Sequence, residues 1–319
     1  MKAITQDRYG SADVLELRDI EPPTIGDGDV LIRVEAAGVD AGVWHLMTGT
    51  PYLVRLATGL RAPKTRVRGM DVAGRVEAVG AKVTQFQPGD EVFGVCEGAF
   101  ADFALAKPDK LVPKPTNVSA EQAAAVPTSA TTALRALRDT GGVQSGQSVL
   151  VIGAGGGVGS FAVQLAKAFG AEVTGVCSTS KIDLVKSLGA DHVVDYTQEN
   201  ITGSYDLILD IAGNRPLRTL RRLLTPRGTL VIVGGEGGGR WMGGFTRNLR
   251  APVLSRFVGQ RLRMLASKEN QEDLQTLGEL IQAGKLTPRI GRTYPLGEVP
   301  EAIRALEAGD TRGKIVITV

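Results

Sequence analysis

The first third of the chain carries short apolar runs that glycine, proline and aspartate separate. These runs are Val30–Ala36, Val72–Val79 and Glu91–Val95, and they are rich in β-branched residues. Such a pattern is typical of short strands joined by tight turns, and it predicts a compact barrel or sandwich. The period then changes at Ala120–Arg138, which predicts a helix with Ser119 as its N-cap.

From Ser148 onward, apolar runs of strand length alternate with helical patterns. The strand Ser148–Ile152 and the helix Val158–Phe169 flank a glycine-rich turn. Further strands are predicted over Glu172–Cys177, His192–Asp195, Leu207–Ile211 and Thr229–Val233, and further helices over Ile182–Leu188 and Asp273–Ala283. This alternation indicates βαβ units around a parallel sheet. The last run, Lys314–Val319, predicts a strand that we expect to pair with the N-terminal β region.

Composition excludes several classes of protein. A length of 319 residues corresponds to about two domains, and 43% hydrophobic residues are enough for an ordinary globular core. The net charge is only +3 and aromatic residues make up 5%, which argues against a nucleic-acid partner. The N-terminus has no signal-peptide pattern and no apolar run reaches about 18 residues, so we expect a cytoplasmic protein without a membrane partner.

Cysteine and histidine are too scarce for the usual zinc sites. The chain has only Cys96, Cys177, His45 and His192, and their spacing matches no zinc motif. A structural zinc site takes about four such ligands and a catalytic one about three protein ligands. We therefore predict no metal site and no disulfide framework, which suits a reducing compartment.

The strongest motif is the glycine-rich turn Gly153–Gly159, which follows a strand and opens a helix. Ala154, Gly156 and Gly159 occupy the three positions of the dinucleotide-binding pattern G-x-G-x-x-G. Glycine lets the backbone approach a pyrophosphate, and the helix N-terminus attracts its negative charge. The predicted cofactor-binding residues of this turn are Ala154, Gly155, Gly156, Gly157, Val158 and Gly159.

The end of the second predicted strand favours NADPH over NADH. An NAD site usually has a carboxylate there, bonded to the ribose 2′-hydroxyl. This chain instead has Ser178, Thr179, Ser180 and Lys181, and the next carboxylate along the chain is Asp183. Hydroxyls and a lysine suit a 2′-phosphate, so we predict that these four residues bind it.

Several segments resemble those of the medium-chain dehydrogenase/reductase superfamily, on its zinc-free quinone oxidoreductase side, to which lens zeta-crystallin belongs. Gly69–Gly80 matches the segment G-x-D-x-A-G-x-V-x-x-V-G, and Pro88–Gly94 matches the G-D-x-V strand. Val30–Val39, Gly153–Gly159 and Gly313–Val316 resemble the first core strand, the cofactor loop and the C-terminal strand. Each segment is weak alone, but their order over nearly the whole chain is specific.

The resemblance implies an α/β fold with three parts. These are a GroES-like β domain over residues 1–122, a Rossmann domain with a doubly wound parallel sheet over 123–285, and a segment over 286–319 that returns to the first domain. The active site would lie in the cleft between the domains.

The departures from the zinc enzymes of the superfamily support the absence of metal. Asp40 stands where those enzymes have a cysteine ligand, and Met70 stands where they have a histidine. The four-cysteine structural zinc lobe is missing, because Gly94–Phe103 is only a short connection.

The resemblance also places candidate catalytic residues. Tyr52 and Thr128 correspond to residues near the nicotinamide in relatives, and Asp40 stands where the quinone reductases tend to have asparagine. Tyr52 is either a proton donor or a packing residue, and Asp40 is either catalytic or only the cap of a turn. Trp44 and His45 are expected to form a local hydrophobic cluster rather than to act in catalysis.

Further cofactor contacts follow from the resemblance. Tyr196 corresponds to a tyrosine that packs over the adenosine or its phosphate, and Asn214 lies where the ribose passes. Gly234 and Gly235 follow a predicted strand and should approach the nicotinamide end of the cofactor.

We predict hydride transfer from NADPH to a quinone or an electron-poor enone, without zinc. Two alternatives stay open: an enoyl-thioester or alkenal double-bond reductase of the same fold, and a non-catalytic NADPH-binding sensor or scaffold. We also expect a homodimer through the edge of the Rossmann sheet, with Leu262–Ala266 as a candidate edge strand. The basic stretch Arg240–Arg263 is either a lid or dimer element, or a solvated face.

Overall fold

The structure is a computed structural model, and it describes residues 1–234, 251, 254–255, 258–265 and 270–319. The chain divides into two compact units. The first combines Met1–Thr131 with Glu269–Val319, and the second is Thr132–Lys268. In the described part of the chain, no helix is long and apolar enough to cross a membrane.

The N-terminal part of the first unit consists of short strands and helices. Its strands are β1 (Lys2–Thr5), β2 (Glu16–Asp19), β3 (Val30–Val39), β4 (Asp71–Val79), β5 (Glu91–Val95), β6 (Phe103–Ala106) and β7 (Leu111–Pro113). Its helices are α1 (Ala41–Thr48), α2 (Arg55–Thr58), α3 (Ala120–Ala124) and α4 (Pro127–Arg135), of which α4 runs into the second unit. The three strands predicted in this region are confirmed.

The prediction of one continuous helix over Ala120–Arg138 is wrong, because two separate helices and a π-helical turn cover this range. Ser119 does cap α3, in a capping box with Gln122, as its position predicts. The helix ends at Ala124, and α4 starts anew at Pro127, whose ring and missing N–H prevent one continuous helix. A turn of π-helix, Ala136–Gly141, then follows α4.

The second unit contains the predicted βαβ pattern. Its strands are β8 (Ser148–Ile152), β9 (Glu172–Cys177), β10 (His192–Asp195), β11 (Tyr205–Asp210), β12 (Leu224–Ile232) and β13 (Arg261–Met264). Its helices are α5 (Gly157–Ala168), α6 (Ile182–Ser187) and α7 (Leu217–Arg222). Among the described residues, the strands form one parallel sheet in the order β10-β9-β8-β11-β12-β13. This order is the doubly wound arrangement of the Rossmann fold.

The C-terminal elements return to the first unit. They are α8 (Gln271–Gln282), β14 (Ile290–Pro295), α9 (Val299–Glu307) and β15 (Lys314–Thr318). β15 pairs antiparallel with β3, which confirms the predicted return of the last strand. The sheet order in this unit is β14-β15-β3-β4-β5-β7, with β6 also paired to β3. Ile32, Val72 and Ile317 therefore share one buried core, although they are far apart in sequence.

The predicted boundaries after residues 122 and 285 differ from those of the two compact units. α8 lies with the first unit rather than with the Rossmann unit, because it packs beside β7. Gln271 Nε2 donates to the carbonyl oxygen of Leu111, and Asn117 Nδ2 donates to that of Ile281. At the other boundary, α3 packs on β3 and β4, which keeps it in the first unit.

Candidate functional site

The turn between β8 and α5 has the backbone geometry that a dinucleotide site requires. Gly153 has a φ of +92°, which favours glycine, and its N–H donates to the carbonyl oxygen of Val176 on β9. Gly156 is the N-cap of α5, so the helix begins directly after the turn. The first N–H groups of α5 have no partner within the helix, and they form an anion-binding end.

Gly159 shows most clearly why this turn needs glycine. A Cβ atom added there would lie 2.0 Å from the carbonyl oxygen of Gly153 and 2.8 Å from Cα of Ala154. The first turn of α5 can pack against the loop only because this side chain is absent. The turn Ala154–Gly159 thus fits a dinucleotide pyrophosphate by its own backbone, as the sequence predicts for these residues.

The structure places the predicted 2′-phosphate turn beside the glycine turn. A Cβ atom on Gly155 would lie 2.8 Å from Cδ of Lys181, so the lysine stem runs along the glycine turn. Ser178 and Ser180 lie on the same side of this short turn, with their hydroxyl oxygens 3.3 Å apart. Two separately predicted segments are therefore adjacent in the second unit.

Asp195 is a carboxylate near this turn that sequence reasoning missed as a site residue. The Thr179 hydroxyl donates to its Oδ2 over 2.5 Å, and the Thr197 N–H and hydroxyl donate to its Oδ1. These hydrogen bonds, that from Thr179 first, lower the pKa of Asp195. Thr179 therefore holds the turn in place. The signal for Asp195 was its register, because it stands opposite Cys177 in the parallel pair of β10 and β9.

Tyr196 and Asn214 both present exposed side chains at this end of the sheet. Tyr196 is 53% exposed, and its N–H donates to the carbonyl oxygen of Cys177. The Arg215 guanidinium lies 6.0 Å from the centre of the Tyr196 ring, which adds a cation that the sequence analysis did not single out. A flat, exposed ring with a nearby guanidinium is suited to a nucleotide base or its phosphate.

Gly234 follows β12 and lies close to the end of β11. A Cβ atom there would be 1.8 Å from the carbonyl oxygen of Ile211, so only glycine fits. Gly235 and residues 240–250 of the basic stretch lie outside the described residues. The described candidates in this unit follow the carboxyl ends of β8, β9, β10, β11 and β12, where ligands bind in parallel α/β sheets.

In the first unit, Asp40 is the N-cap of α1. Its Oδ1 accepts hydrogen bonds from the N–H groups of Gly42, over 2.7 Å, and Val43, over 3.3 Å. Its Oδ2 is buried and has no hydrogen-bond partner in the structure. Asp40 therefore caps the helix with one oxygen and leaves a second, desolvated acceptor available to a ligand.

Thr128 belongs to a buried polar network centred on Asp71, at the start of β4. The Thr128 hydroxyl donates to Asp71 Oδ1 over 2.5 Å, and its N–H donates to the same carboxylate. Lys314 of β15 places its Nζ 3.7 Å from Asp71 Oδ2, and it also donates to the Ser129 hydroxyl. Asp71 is fully buried and Lys314 nearly so.

The environment of Asp71 stabilises its protonated form more than water does. Burial raises the pKa of Asp71 to about 7, although Lys314 lowers it, and the nearby Asp40 carboxylate raises it further. Asp71 thus links two predicted residues, Asp40 and Thr128, to the C-terminal strand. The signal for Asp71 in the sequence is that an acidic residue stands at the start of an apolar strand.

Tyr52 lies in a short 3₁₀ turn, Tyr52–Val54, after α1. The guanidinium of Arg55 is 4.6 Å from the centre of the Tyr52 ring and 4.5 Å from that of Tyr9. This stacking is compatible with both predicted roles of Tyr52, as a proton donor and as a packing residue. Trp44 and His45 pack edge to face with their ring centres 4.9 Å apart, which confirms the predicted local cluster.

The two zinc-ligand positions of the superfamily lie close together in this chain and carry a carboxylate that caps a helix and a thioether. Built on Gly42, a Cβ atom would be 2.8 Å from Asp40 Oδ1 and 3.9 Å from Met70 Sδ. Within the ranges that the structure describes, no group of three or more histidine, cysteine, aspartate or glutamate side chains could hold a metal ion. Thioethers are soft ligands that suit Cu(I) better than zinc.

Comparisons with known proteins match the whole chain. The family described as "Alcohol dehydrogenase GroES-like domain" matches residues 26–116, and that described as "Zinc-binding dehydrogenase" matches residues 188–317. The chain is 33% identical to the mouse mitochondrial NAD(P)H oxidoreductase RTN4IP1, over 100% of this chain and 89% of that protein. It is also 33% identical to the tomato 2-methylene-furan-3-one reductase, over 99% of this chain and 79% of that protein.

Solved structures give the same result. The quinone oxidoreductase from Coxiella burnetii superposes with a TM-score of 0.87 at 30% identity, over 100% of this chain and 99% of that chain. The GroES-like and Rossmann units, the glycine turn and these similarities over the full length agree. The chain is a member of the medium-chain dehydrogenase/reductase family and groups with its quinone oxidoreductases.

Proposed function

We propose that this oxidoreductase uses NADPH to reduce a quinone or an electron-poor enone, and that it does so without zinc. The observation that carries the proposal is the glycine turn Ala154–Gly159 with the Lys181 stem packed along it. A cradle for the pyrophosphate and a cation for the 2′-phosphate are thus adjacent, at the end of the sheet where nucleotides bind.

Selectivity for NADPH rests on Ser178, Ser180 and Lys181. A lysine and two hydroxyls offer charge and donors to a 2′-phosphate. The Asp195 carboxylate at this turn already accepts hydrogen bonds from Thr179 and Thr197. It is therefore less suited to accept the 2′-hydroxyl of NADH. Arg215 beside Tyr196 adds positive charge to the same region.

The type of acceptor follows from the residues at the zinc-ligand positions. Asp40 caps α1 and Met70 is a thioether, so neither replaces the Lewis acid that alcohol oxidation uses in the zinc enzymes. A quinone or an enone accepts hydride without such help. When bound, NADPH supplies the hydride, and the acceptor is reduced by that hydride and one proton.

The chain itself orients the acceptor and provides for the proton. Asp40 Oδ2 is buried without a hydrogen-bond partner in the structure, so it can accept a hydrogen bond from a hydroxyl that forms on the reduced acceptor. Burial and the Asp40 carboxylate together raise the pKa of the Asp71 carboxyl, which therefore holds its proton to a higher pH than an exposed aspartate does. The proton for the product comes from water or from the Tyr52 hydroxyl. The names of the relatives, a furanone reductase and a quinone oxidoreductase, support this class of acceptor.

A homodimer in the cytoplasm completes the proposal. β13 lies at one end of the described Rossmann sheet, with Met264 exposed, and an unpaired edge strand favours pairing with a second copy. The predicted edge strand Leu262–Ala266 overlaps β13, and its last residue lies outside the described residues.

Transfer of deuterium tests the chemistry directly. The protein is incubated with NADPH deuterated at C4 and with a panel containing an ortho-quinone, an alkenal, an enone and an enoyl thioester. Mass spectrometry of the products is expected to show one deuterium at the β-carbon of the enone, together with formation of the hydroquinone. Turnover of the thioester alone would assign the chain to the thioester reductases, and binding without any turnover would assign it to the sensors.

A further inference from the structure

The first unit contains a cavity of about 750 Å³ that the proposed chemistry does not yet explain. All of the described residues that line it belong to the first unit. Its walls are mainly apolar and include Val43 and Leu46 of α1, Pro63, Met70 and Leu105. A chamber of this size and character holds a small organic molecule.

A buried guanidinium lines this cavity. Arg68 is only 5% exposed, and its Nε and Nη2 are buried without a hydrogen-bond partner. In the part of the chain that the structure describes, no carboxylate forms an ion pair with it. A buried cation without a hydrogen-bonded counter-charge is costly. Burial lowers the pKa of Arg68, although Tyr9 and the solvent-exposed Glu97 raise it.

The other charges around the cavity leave it cationic. Lys64, Lys107 and Lys110 line it with Arg68, against the carboxylates of Asp29 and Glu97. Asp29 already pairs with Lys107 over 2.5 Å, and Glu97 is exposed to solvent. Burial raises the pKa of the Cys96 thiol in the same wall, so this side chain contributes no charge.

We propose that the cavity binds an acceptor that carries an apolar chain and a terminal carboxylate, and that Arg68 selects for this carboxylate. The inference rests on the proposed function and deepens it by naming a substrate class. Among the described residues of the wall, Arg68 is the one cation that is almost fully buried, which suits the single charge of a carboxylate. α1 connects the two sites, because Val43 and Leu46 line the cavity while Asp40 caps the same helix.

The kinetic test compares two acceptors that differ only in charge. One is 8-oxonon-6-enoic acid, an enone with a carboxylate four methylene groups away, and the other is its methyl ester. We expect the KM of the acid to be about 10- to 100-fold lower than that of the ester, as one or two charged hydrogen bonds would give. In the Arg68→Met variant, the two KM values should become equal, with little change for the ester.

A binding test needs no turnover. Titration calorimetry with octanoate and with octanol, on the full chain with NADPH present, measures the affinity for the anion alone. The wild-type protein should bind octanoate at least about tenfold more tightly than octanol, and Arg68→Met should lose this difference. The matched control is Arg66→Met, because Arg66 lies two residues away with a largely exposed side chain.

The melting temperature shows whether the variant remains a valid test. Arg68→Met removes an uncompensated buried charge and keeps an apolar stem, so its melting temperature should equal or exceed that of the wild type. A clear loss of stability would contradict the proposal, because it would mean that Arg68 already has a partner within the chain. Glu97 in the cavity wall is one candidate, because its carboxylate raises the pKa of Arg68.

The outcomes separate the two proposals. Enone turnover with equal KM values for acid and ester, and no preference for octanoate, would overturn the carboxylate site and leave the reductase intact. Octanoate binding that depends on Arg68, without turnover of any acceptor, would support the site and overturn the reductase.

Discussion

The nucleotide turn of the second unit and the polar network of the first unit are built in different ways. The turn is one continuous segment, Gly153–Gly159. Its shape depends on glycines, because a Cβ atom at Gly155 or Gly159 would collide with neighbouring atoms. The network joins Asp40, Asp71, Thr128 and Lys314, which come from four separate parts of the chain. One site therefore depends on local backbone sterics, and the other depends on long-range pairing of β3, β4 and β15.

This difference determines how each site should respond to mutation. A change in the turn acts on the cofactor first, because few distant residues are involved. A change in the network acts on folding first, since it leaves a buried charge or hydroxyl without its partner. Four predictions test this contrast, from the largest expected effect to the smallest.

Removing the cation of the network should have the largest effect. Lys314→Met leaves the buried Asp71 carboxylate without its counter-charge. At about pH 8, above the pKa of Asp71, we expect the free energy of unfolding to fall by about 3–5 kcal/mol. The double variant Asp71→Asn with Lys314→Met should recover part of this loss. Lys82→Met is the control, because Lys82 pairs with Asp27 on the surface and should cost about 0–1 kcal/mol. Equal urea midpoints for Lys314→Met and the wild type would refute the account of the network.

A methyl group in the turn should disturb both cofactor binding and local packing. Gly159→Ala places Cβ against the carbonyl oxygen of Gly153, which costs about 1–3 kcal/mol of stability and displaces the first turn of α5. We expect the Kd for NADPH, measured by fluorescence titration, to rise at least about tenfold. Gly28→Ala is the control, since a Cβ atom there meets nothing within 4 Å. An unchanged Kd would show that the turn does not hold the cofactor.

The preference for NADPH should depend on Lys181. Lys181→Gln keeps the stem that packs along Gly155 and removes the charge, so the Kd for NADPH should rise by about tenfold, roughly 1.4 kcal/mol. The Kd for NADH should stay the same, because that cofactor has no 2′-phosphate. Lys186→Gln, at an exposed position on α6, should affect neither cofactor. If the Kd values for NADPH and NADH rise equally, Lys181 contacts a part of the nucleotide that both cofactors share.

The pH dependence of stability should report Asp71. Its pKa is about 7 in the folded chain and near 3.8 when unfolded, so the folded state binds more protons between these values. The contribution of Asp71 to the free energy of unfolding is therefore fully present below about pH 3.8, and it is lost as the pH rises through 7. Asp71→Asn should reduce the fall in stability between pH 5 and 7.5 by about 1 kcal/mol or more. Chemical denaturation at several pH values measures this, and an unchanged slope would show that Asp71 is ionised throughout.

The elements that local patterns define were predictable from the sequence. The strands Glu91–Val95, Ser148–Ile152 and Glu172–Cys177 have their predicted bounds, because apolar runs and adjacent turn residues fix strand ends. The prediction of one helix over Ala120–Arg138 was wrong. Its apolar pattern continues past Pro127, but proline has no N–H and interrupts the backbone hydrogen bonds of a helix.

The site was predictable only where neighbours in sequence are neighbours in space. The glycine turn meets that condition, and so does the Ser178–Lys181 turn. Asp195 and Asp71 do not, because their partners depend on strand order and register. Arg68 is one of four cations in the segment 61–68, and its burial beside a cavity distinguishes it from the exposed Arg66.

The most direct test of the central claim is NADPH oxidation by the purified, EDTA-treated protein with an ortho-quinone, with NADH measured in parallel. We expect rapid turnover with NADPH, a kcat/KM for NADPH at least about tenfold above that for NADH, and no gain on adding zinc. Turnover that requires zinc, or a preference for NADH, would contradict it.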